Sequence, residues 1–149
     1  MIVEYGVNED IVSWMALVRS VSWYFPGLET EEKLKEYENT VLRFMSEKRA
    51  LCIKKQNAII GVLLYSKKHN MICCLAVAPD YRRQGIASAL LSKAIENLDR
   101  TRDITVSTFR ENDPKGNAPR ALYRSFGFIE GDLIEEFDYP NQQFILPAI

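Results

Sequence analysis

The chain has 149 residues, 47% hydrophobic and 26% charged, with 19 Lys and Arg against 20 Asp and Glu. This length and apolar share suit one domain, residues 1–149, around a single core. A net charge of −1 gives no bulk attraction to nucleic acid or to anionic membranes, so neither is expected as a partner.

Ile2-Val3-Glu4-Tyr5 reads as a short strand. Asn8 or Asp10 can cap a helix whose apolar face is Ile11, Trp14, Met15 and Val18. Ser22 to Leu28 is a loop dense in aromatics, with Trp23, Tyr24 and Phe25. Thr30 caps a second helix, Glu31 and Glu32 suit its positive end, and Leu34, Tyr37, Val41, Phe44 and Met45 form its buried stripe. Ala50 to Lys55 and Ala58 to Tyr65 are strands joined in a hairpin at Gln56-Asn57.

Met71 to Val77 is a continuous apolar run, as a strand buried on both faces would be. Pro79 stops it. Ala87, Leu90, Leu91, Ala94, Ile95 and Leu98 then recur at helical spacing. Asp103 to Thr108 is the next strand. Ala118 to Phe126 is a short helix ended by Gly127, a left-handed cap. Phe128 onward is a hairpin tail whose last strand is Gln142 to Leu146. The order β-α-α-β-β-β-α-β-α-β-β predicts a single α/β domain with a mixed sheet flanked by helices.

Cys52, Cys73 and Cys74 stand in apolar surroundings and read as reduced cysteines in or near the core. His69 is the only histidine, and no metal-ligand spacing exists, so no metal is expected. The N-terminus lacks a basic stretch followed by an apolar one, and no apolar run approaches the ~20 residues needed to span a bilayer. A cytoplasmic location is the expectation.

The informative segment is Leu75-Ala76-Val77-Ala78-Pro79-Asp80-Tyr81-Arg82-Arg83-Gln84-Gly85-Ile86-Ala87. A strand ends at Pro79, and an amphipathic helix starts near Gly85. Helix starts carry unpaired N–H groups and partial positive charge, which together bind anions such as phosphate. Gly85 leaves room for backbone approach, Ala87 keeps the next position small, and Arg82 and Arg83 add cationic donors. Physics alone predicts a diphosphate or similar anion here. The chain has no Gly-Lys-Ser/Thr triplet and no Gly-x-Gly-x-x-Gly, which excludes the two commonest phosphate loops.

Arg82, Gly85 and Ala87 resemble the acetyl-CoA signature of the GNAT superfamily of N-acetyltransferases, an Arg or Gln followed by x-x-Gly-x-Gly/Ala. Asn117-Ala118-Pro119-Arg120-Ala121-Leu122-Tyr123-Arg124-Ser125-Phe126-Gly127-Phe128 is similar to that family's second motif. The resemblance implies the GNAT (acyl-CoA N-acyltransferase) fold, with acetyl-CoA as co-substrate. It also implies that the strand Leu75-Ala76-Val77 bulges and splays from Ile104 to Thr108. Leu75 and Val77 would then pair with the pantetheine amides, and an N–H near Leu75 or Ala76 would polarise the thioester carbonyl. Arg82, Arg83, Gln84, Gly85, Ile86 and Ala87 would wrap the pyrophosphate. Asn117 would contact the CoA arm and help cap its helix. Tyr123 would donate a proton to the departing thiolate; simple packing is the alternative.

The base is unassigned, because Met71 to Val77 contains no acid. Glu111, Glu29 and Asp138 are weak candidates, and His69 sits in a turn. A cysteine acyl intermediate at Cys73 or Cys74 has no histidine nearby in sequence to support it. The acceptor would be a primary amine of a small molecule, held by Trp23, Tyr24, Phe25, Glu29 and the acidic stretch Asp132 to Asp138. The same aromatics could instead close the core. A protein N-terminal or lysine acetyltransferase is a second reading, and a CoA-binding regulatory module without turnover a third. Phe137, Tyr139 and Phe144 in the tail could supply an apolar surface for a homodimer.

Overall fold

The computed structural model describes residues 1–149. Seven strands form one sheet: β1 (Val3–Tyr5), β2 (Ala50–Lys55), β3 (Ala58–Ser66), β4 (Met71–Val77), β5 (Ile104–Phe109), β6 (Ile129–Glu136) and β7 (Tyr139–Leu146). Their spatial order is β1-β2-β3-β4-β5-β7-β6, antiparallel throughout except where β4 meets β5. Four helices flank the sheet: α1 (Ile11–Val21), α2 (Glu31–Ser46), α3 (Ile86–Asn97) and α4 (Asn117–Ser125). The element order is the one predicted from the sequence.

Side chains alternate between the two faces of a strand, so β3, buried along nearly its whole length, feeds both cores. Leu63 and Tyr65 join Leu90, Leu91, Ile104 and Phe144 beneath α3 and α4. Val62 and Leu64 join Trp14, Val18, Val41 and Phe44 beneath α1 and α2. No helix is long and apolar enough to cross a membrane.

Local signals read from the sequence are met at several points. The Thr30 hydroxyl accepts the Lys33 N–H at 3.1 Å, capping α2. Gln56 and Asn57 both take positive φ in the β2–β3 turn, the pairing that tight hairpins require.

Three expectations need correction. Asp10 stands at the start of α1 but caps nothing there. Its carboxylate accepts the Val7 N–H at 2.9 Å and meets Lys54 at 2.9 Å, which satisfies it elsewhere. The last strand begins at Tyr139 rather than Gln142, because Phe137 and Asp138, both at positive φ, make a two-residue turn. Finally, β4 is not buried on both faces: Cys73 is exposed, and Cys74, Leu75 and Val77 are half-buried. An apolar strand that lines a cleft has the same composition as one inside a core.

Candidate active site

The cleft originates in the register of β4. Its pairing with β5 stops after Met71–Thr105 and Ile72–Val106, so the two strands diverge beyond Ile72. On the other side, Leu64 pairs with Cys74 but Tyr65 pairs with Ile72, which leaves Cys73 as a bulge residue. Bulges bend a strand and end pairing on one edge. The splay is where the resemblance placed it, but the bulge falls at Cys73 rather than within Leu75–Val77.

This register determines which backbone groups are free. The Ala78 N–H donates to the Ile60 carbonyl at 2.8 Å. In an antiparallel ladder hydrogen-bonded pairs alternate with non-bonded ones. Ala76 and Cys74 therefore direct their N–H and C=O toward β3, whereas Leu75 and Val77 direct theirs into the cleft. Both line a cavity of about 900 Å³ that occupies the splay.

The N-terminus of α3 forms the next wall. Gly85 precedes it in the left-handed region, φ +80°, and its first helical hydrogen bond runs from the Ala89 N–H to the Gly85 carbonyl at 3.0 Å. The N–H groups of Ile86, Ala87 and Ser88 stay free of intrahelical acceptors, and no side chain caps them. A Cβ built at Gly85 would meet nothing within 4 Å, so the approach to these amides is open. Arg83 also takes positive φ, +63°, an uncommon conformation for a side chain of this size. The Arg82 guanidinium lies 5.3 Å from the centre of the Tyr24 ring, a cation–π contact. Arg82, Arg83, Gly85, Ile86 and Ala87 all line the cavity; the exposed Gln84 side chain does not.

Tyr123 is positioned by the end of α4. Gly127, at φ +94°, lets the Phe128 N–H return to the Tyr123 carbonyl and the Gly127 N–H to that of Arg124, both at 3.0 Å. This pair of bonds is a Schellman closure. It brings the Phe128 ring to 5.5 Å from Tyr123, with Phe144 at 6.2 Å on another side. The Tyr123 ring is thus core, yet it also lines the cavity. Burial pushes its phenol well above the usual value, and the nearby Cys74 thiol adds to the shift. Asn117 lines the cavity as the first residue of α4. It does not cap the helix: Gly116 holds the cap position, without a side-chain bond.

The half of the cavity facing α2 is shaped by Tyr24, Phe25, Tyr37, Thr40, Glu136 and Phe137. Trp14 Nε1 donates to the Tyr37 hydroxyl at 3.5 Å, and that hydroxyl lies 3.3 Å from Cys74 Sγ. An indole can only donate, so the Tyr37 oxygen accepts and its own hydrogen is left for the sulfur. Burial, then the Cys74 charge, pushes the Tyr37 phenol well up. A Cβ on Gly27 would stand 2.8 Å from the Phe137 ring, so the β6–β7 turn closes on the aromatic loop.

Two residues expected at this wall lie elsewhere. Trp23 is 69% exposed and stacks edgewise on Tyr24. Both sit in a one-turn 3₁₀ segment, Ser22–Tyr24, which sends successive side chains in directions about 120° apart. Tyr24 points in and Trp23 out. Glu29 folds onto its own loop, accepting the Gly27 N–H at 2.7 Å and pairing with Lys33 at 3.2 Å. His69, Glu111 and Asp138 also lie outside the lining. Tyr37, Thr40 and Asn141 line the cavity without having been expected there, and Glu136 lies in the acidic stretch expected at the acceptor wall. Tyr37 and Thr40 lie on the inward face of α2 at helical spacing, a signal that reads equally as core.

A sheet forked at a bulge, beside a helix start open to anions, defines an acyl-CoA-dependent acyltransferase. The family model described as Acetyltransferase (GNAT) domain matches residues 46–130, and the chain belongs to this family of acyl-CoA-dependent N-acetyltransferases. Among solved structures it is similar to a GNAT-family acetyltransferase from Bacillus cereus ATCC 10987, at 22% identity and TM-score 0.77, covering 99% of this chain and 97% of that one. A ribosomal-protein-alanine N-acetyltransferase from Brucella melitensis matches at 17% identity and TM-score 0.78, over 100% of both chains. A paia N-acetyltransferase from Thermoplasma acidophilum, solved in complex with coenzyme A, matches at 16% identity and TM-score 0.69, over 95% of this chain and 96% of that one. No curated protein matches the sequence.

Proposed function

We propose that residues 1–149 act as one domain that moves the acetyl group of acetyl-CoA to a primary amine of a small molecule, by direct attack within a ternary complex. The observation that carries this reading is the continuity of one cavity, from the α3 amides past Leu75, Val77 and Tyr123 into the half bordered by Tyr24, Phe25 and Phe137. An acceptor end lined by aromatic side chains suits the apolar body of a small amine.

In this reading the amides of Ile86, Ala87 and Ser88, with Arg82 and Arg83, hold the pyrophosphate. Leu75 and Val77 pair with the pantetheine arm, and Asn117 contacts that arm from α4. The amine nitrogen bonds to the thioester carbon and the C–S bond breaks. Of the two protons an ammonium must lose, one leaves to solvent and the other ends on sulfur through Tyr123. A phenol near 10 and a thiol near 8.5 are mismatched in water, by about 1.5 units. Burial raises the Tyr123 phenol and by itself widens that mismatch; the transfer therefore requires the CoA sulfur to be desolvated in the same cavity, which raises the thiol as well.

The Brucella melitensis protein bears the name of a ribosomal-protein-alanine acetyltransferase, which makes a peptide N-terminus the second arm of the test. Thiol release from acetyl-CoA is measured with a panel of primary amines and with a panel of N-terminal peptides. Turnover with amines and none with peptides is expected. Turnover with peptides alone would overturn the small-molecule reading.

A further inference from the structure

Two polar side chains in the acceptor half of the cavity have no partner in the chain. Glu136 ends β6, half-buried, with its carboxylate outside every ion pair of the molecule. Asn141, on β7, is 9% exposed, and its Oδ1 is buried without a hydrogen bond. A buried polar atom left unpaired costs about 1–3 kcal/mol, so native proteins rarely keep one without use.

The hairpin register puts these two groups together. Glu136 pairs with Tyr139 and Ile134 with Asn141, so Glu136 and Asn141 are diagonal neighbours on one face, about 7–8 Å apart by sheet geometry. That face is opposite to the one where Gln142 receives Arg120 from α4 at 2.7 Å. It is the side flanked by α2, away from α4. Both residues line the cavity.

No cation of this wall is paired with Glu136: Lys33 is tied to Glu29 at 3.2 Å, Lys115 lies over the Phe109 and Tyr139 rings, and Arg82 lies over Tyr24. Glu36 of α2 adds a second unpaired carboxylate at the rim. The Glu136 charge reaches β4 across the cavity. Cys73 is open on one side, but desolvation by the cavity wall pushes its thiol up to about 11, assisted by Cys74 and by Glu136 and opposed by Arg49.

We propose that Glu136 and the Asn141 side-chain carbonyl receive the ammonium group of the acceptor, which makes the preferred acceptor a compact primary amine with an apolar body and no carboxylate beside the nitrogen. The carboxylate offers a charge-assisted bond; turning the Asn141 amide over about its last torsion exchanges its buried Oδ1 with its NH2 group, so that the oxygen becomes a second acceptor on the cavity side. Tyr24, Phe25 and Phe137 take the apolar body. An amino acid would bring its own carboxylate against Glu136 and Glu36. The ammonium loses its first proton to solvent before attack, and Glu136 serves as its anchor. This inference rests on the small-amine reading given above.

The test uses the full chain, acetyl-CoA and paired acceptors, 2-phenylethylamine against phenylalanine, beside a panel of aliphatic primary amines. Wild-type protein should favour the simple amine of the pair. Glu136→Gln should raise the KM of the best amine about tenfold or more, the loss of one charge-assisted bond. It should leave the KM of acetyl-CoA unchanged and narrow the preference over phenylalanine. Glu136→Asp should recover part of the loss, and Glu111→Gln, outside the cavity, should behave as wild type. An unchanged amine KM in Glu136→Gln, or an equal rise for acetyl-CoA, overturns the assignment while the small-amine reading stands. Absence of thiol release by wild type with every amine overturns that reading itself, and this one with it.

Discussion

Replacing Gly85 by valine isolates the donor loop from the rest of the fold. Gly85 sits at φ +80° and ψ +10°. A side chain there costs roughly 1–2 kcal/mol for the left-handed conformation, with more expected from β-branching. Nothing within 4 Å of its Cβ would clash, so the core is not disturbed. At 1–2 kcal/mol a domain near this size loses roughly 2–8 °C of Tm. The loop escapes the strain by moving, and the Ile86, Ala87 and Ser88 amides lose their common aim. A hydrogen bond to a charged group is worth about 1.5–3 kcal/mol, so losing even one raises the Kd for CoA at least about tenfold. Calorimetric titration of CoA reads the first effect and thermal unfolding the second. Acetyl-pantetheine, which lacks the pyrophosphate, should bind wild type and Gly85→Val equally. Wild-type affinity for CoA in Gly85→Val would refute the idea that these amides hold the pyrophosphate.

Tyr123→Phe should lower kcat about 10²-fold, the scale of one general acid, with both KM values unchanged, because the ring keeps its contacts with Phe128 and Phe144. Steady-state kinetics decides this, and an unchanged kcat removes Tyr123 from the chemistry. Arg120→Ala should destabilise the fold by about 1–3 kcal/mol for each buried acceptor it leaves unpaired, read by urea unfolding. The guanidinium is buried and donates to the Phe109 carbonyl at 2.9 Å and to Gln142 at 2.7 Å, whereas Glu130 keeps its pairing with Arg124. Stability should also fall as pH rises past about 10. Tyr37 and Tyr123 both have folded-state values raised by burial, so the unfolded chain releases those protons first. Tyr37→Phe with Tyr123→Phe should flatten that decline.

The backbone geometry at the α3 and α4 ends of the cavity was legible because its signals are local. Gly85 between a strand and an amphipathic helix, and Gly127 after Tyr123, each mark a backbone conformation that few other residues adopt. The acceptor half was not, because its signals are long-range. The bulge at Cys73 depends on pairing with Leu64 and Tyr65, and an apolar run reads alike in a core or along a cleft. Trp23 and Tyr24 are adjacent aromatics, separated only by the turn geometry of Ser22–Tyr24. Within the acidic stretch Asp132 to Asp138 it is the β6–β7 register that singles out Glu136, by setting it diagonal to Asn141. Glu29, an equally plausible acid in sequence, turns out to cap its own loop.

Acetyl transfer itself is the most direct test. The protein is incubated with isotopically labelled acetyl-CoA and a mixture of primary amines and N-terminal peptides, and the products are read by mass spectrometry. A labelled acetyl group on one or more small amines, about 10²-fold less abundant when Tyr123→Phe replaces wild type at matched times, is the result expected here. Label found only on peptides, or on no acceptor at all, would contradict it.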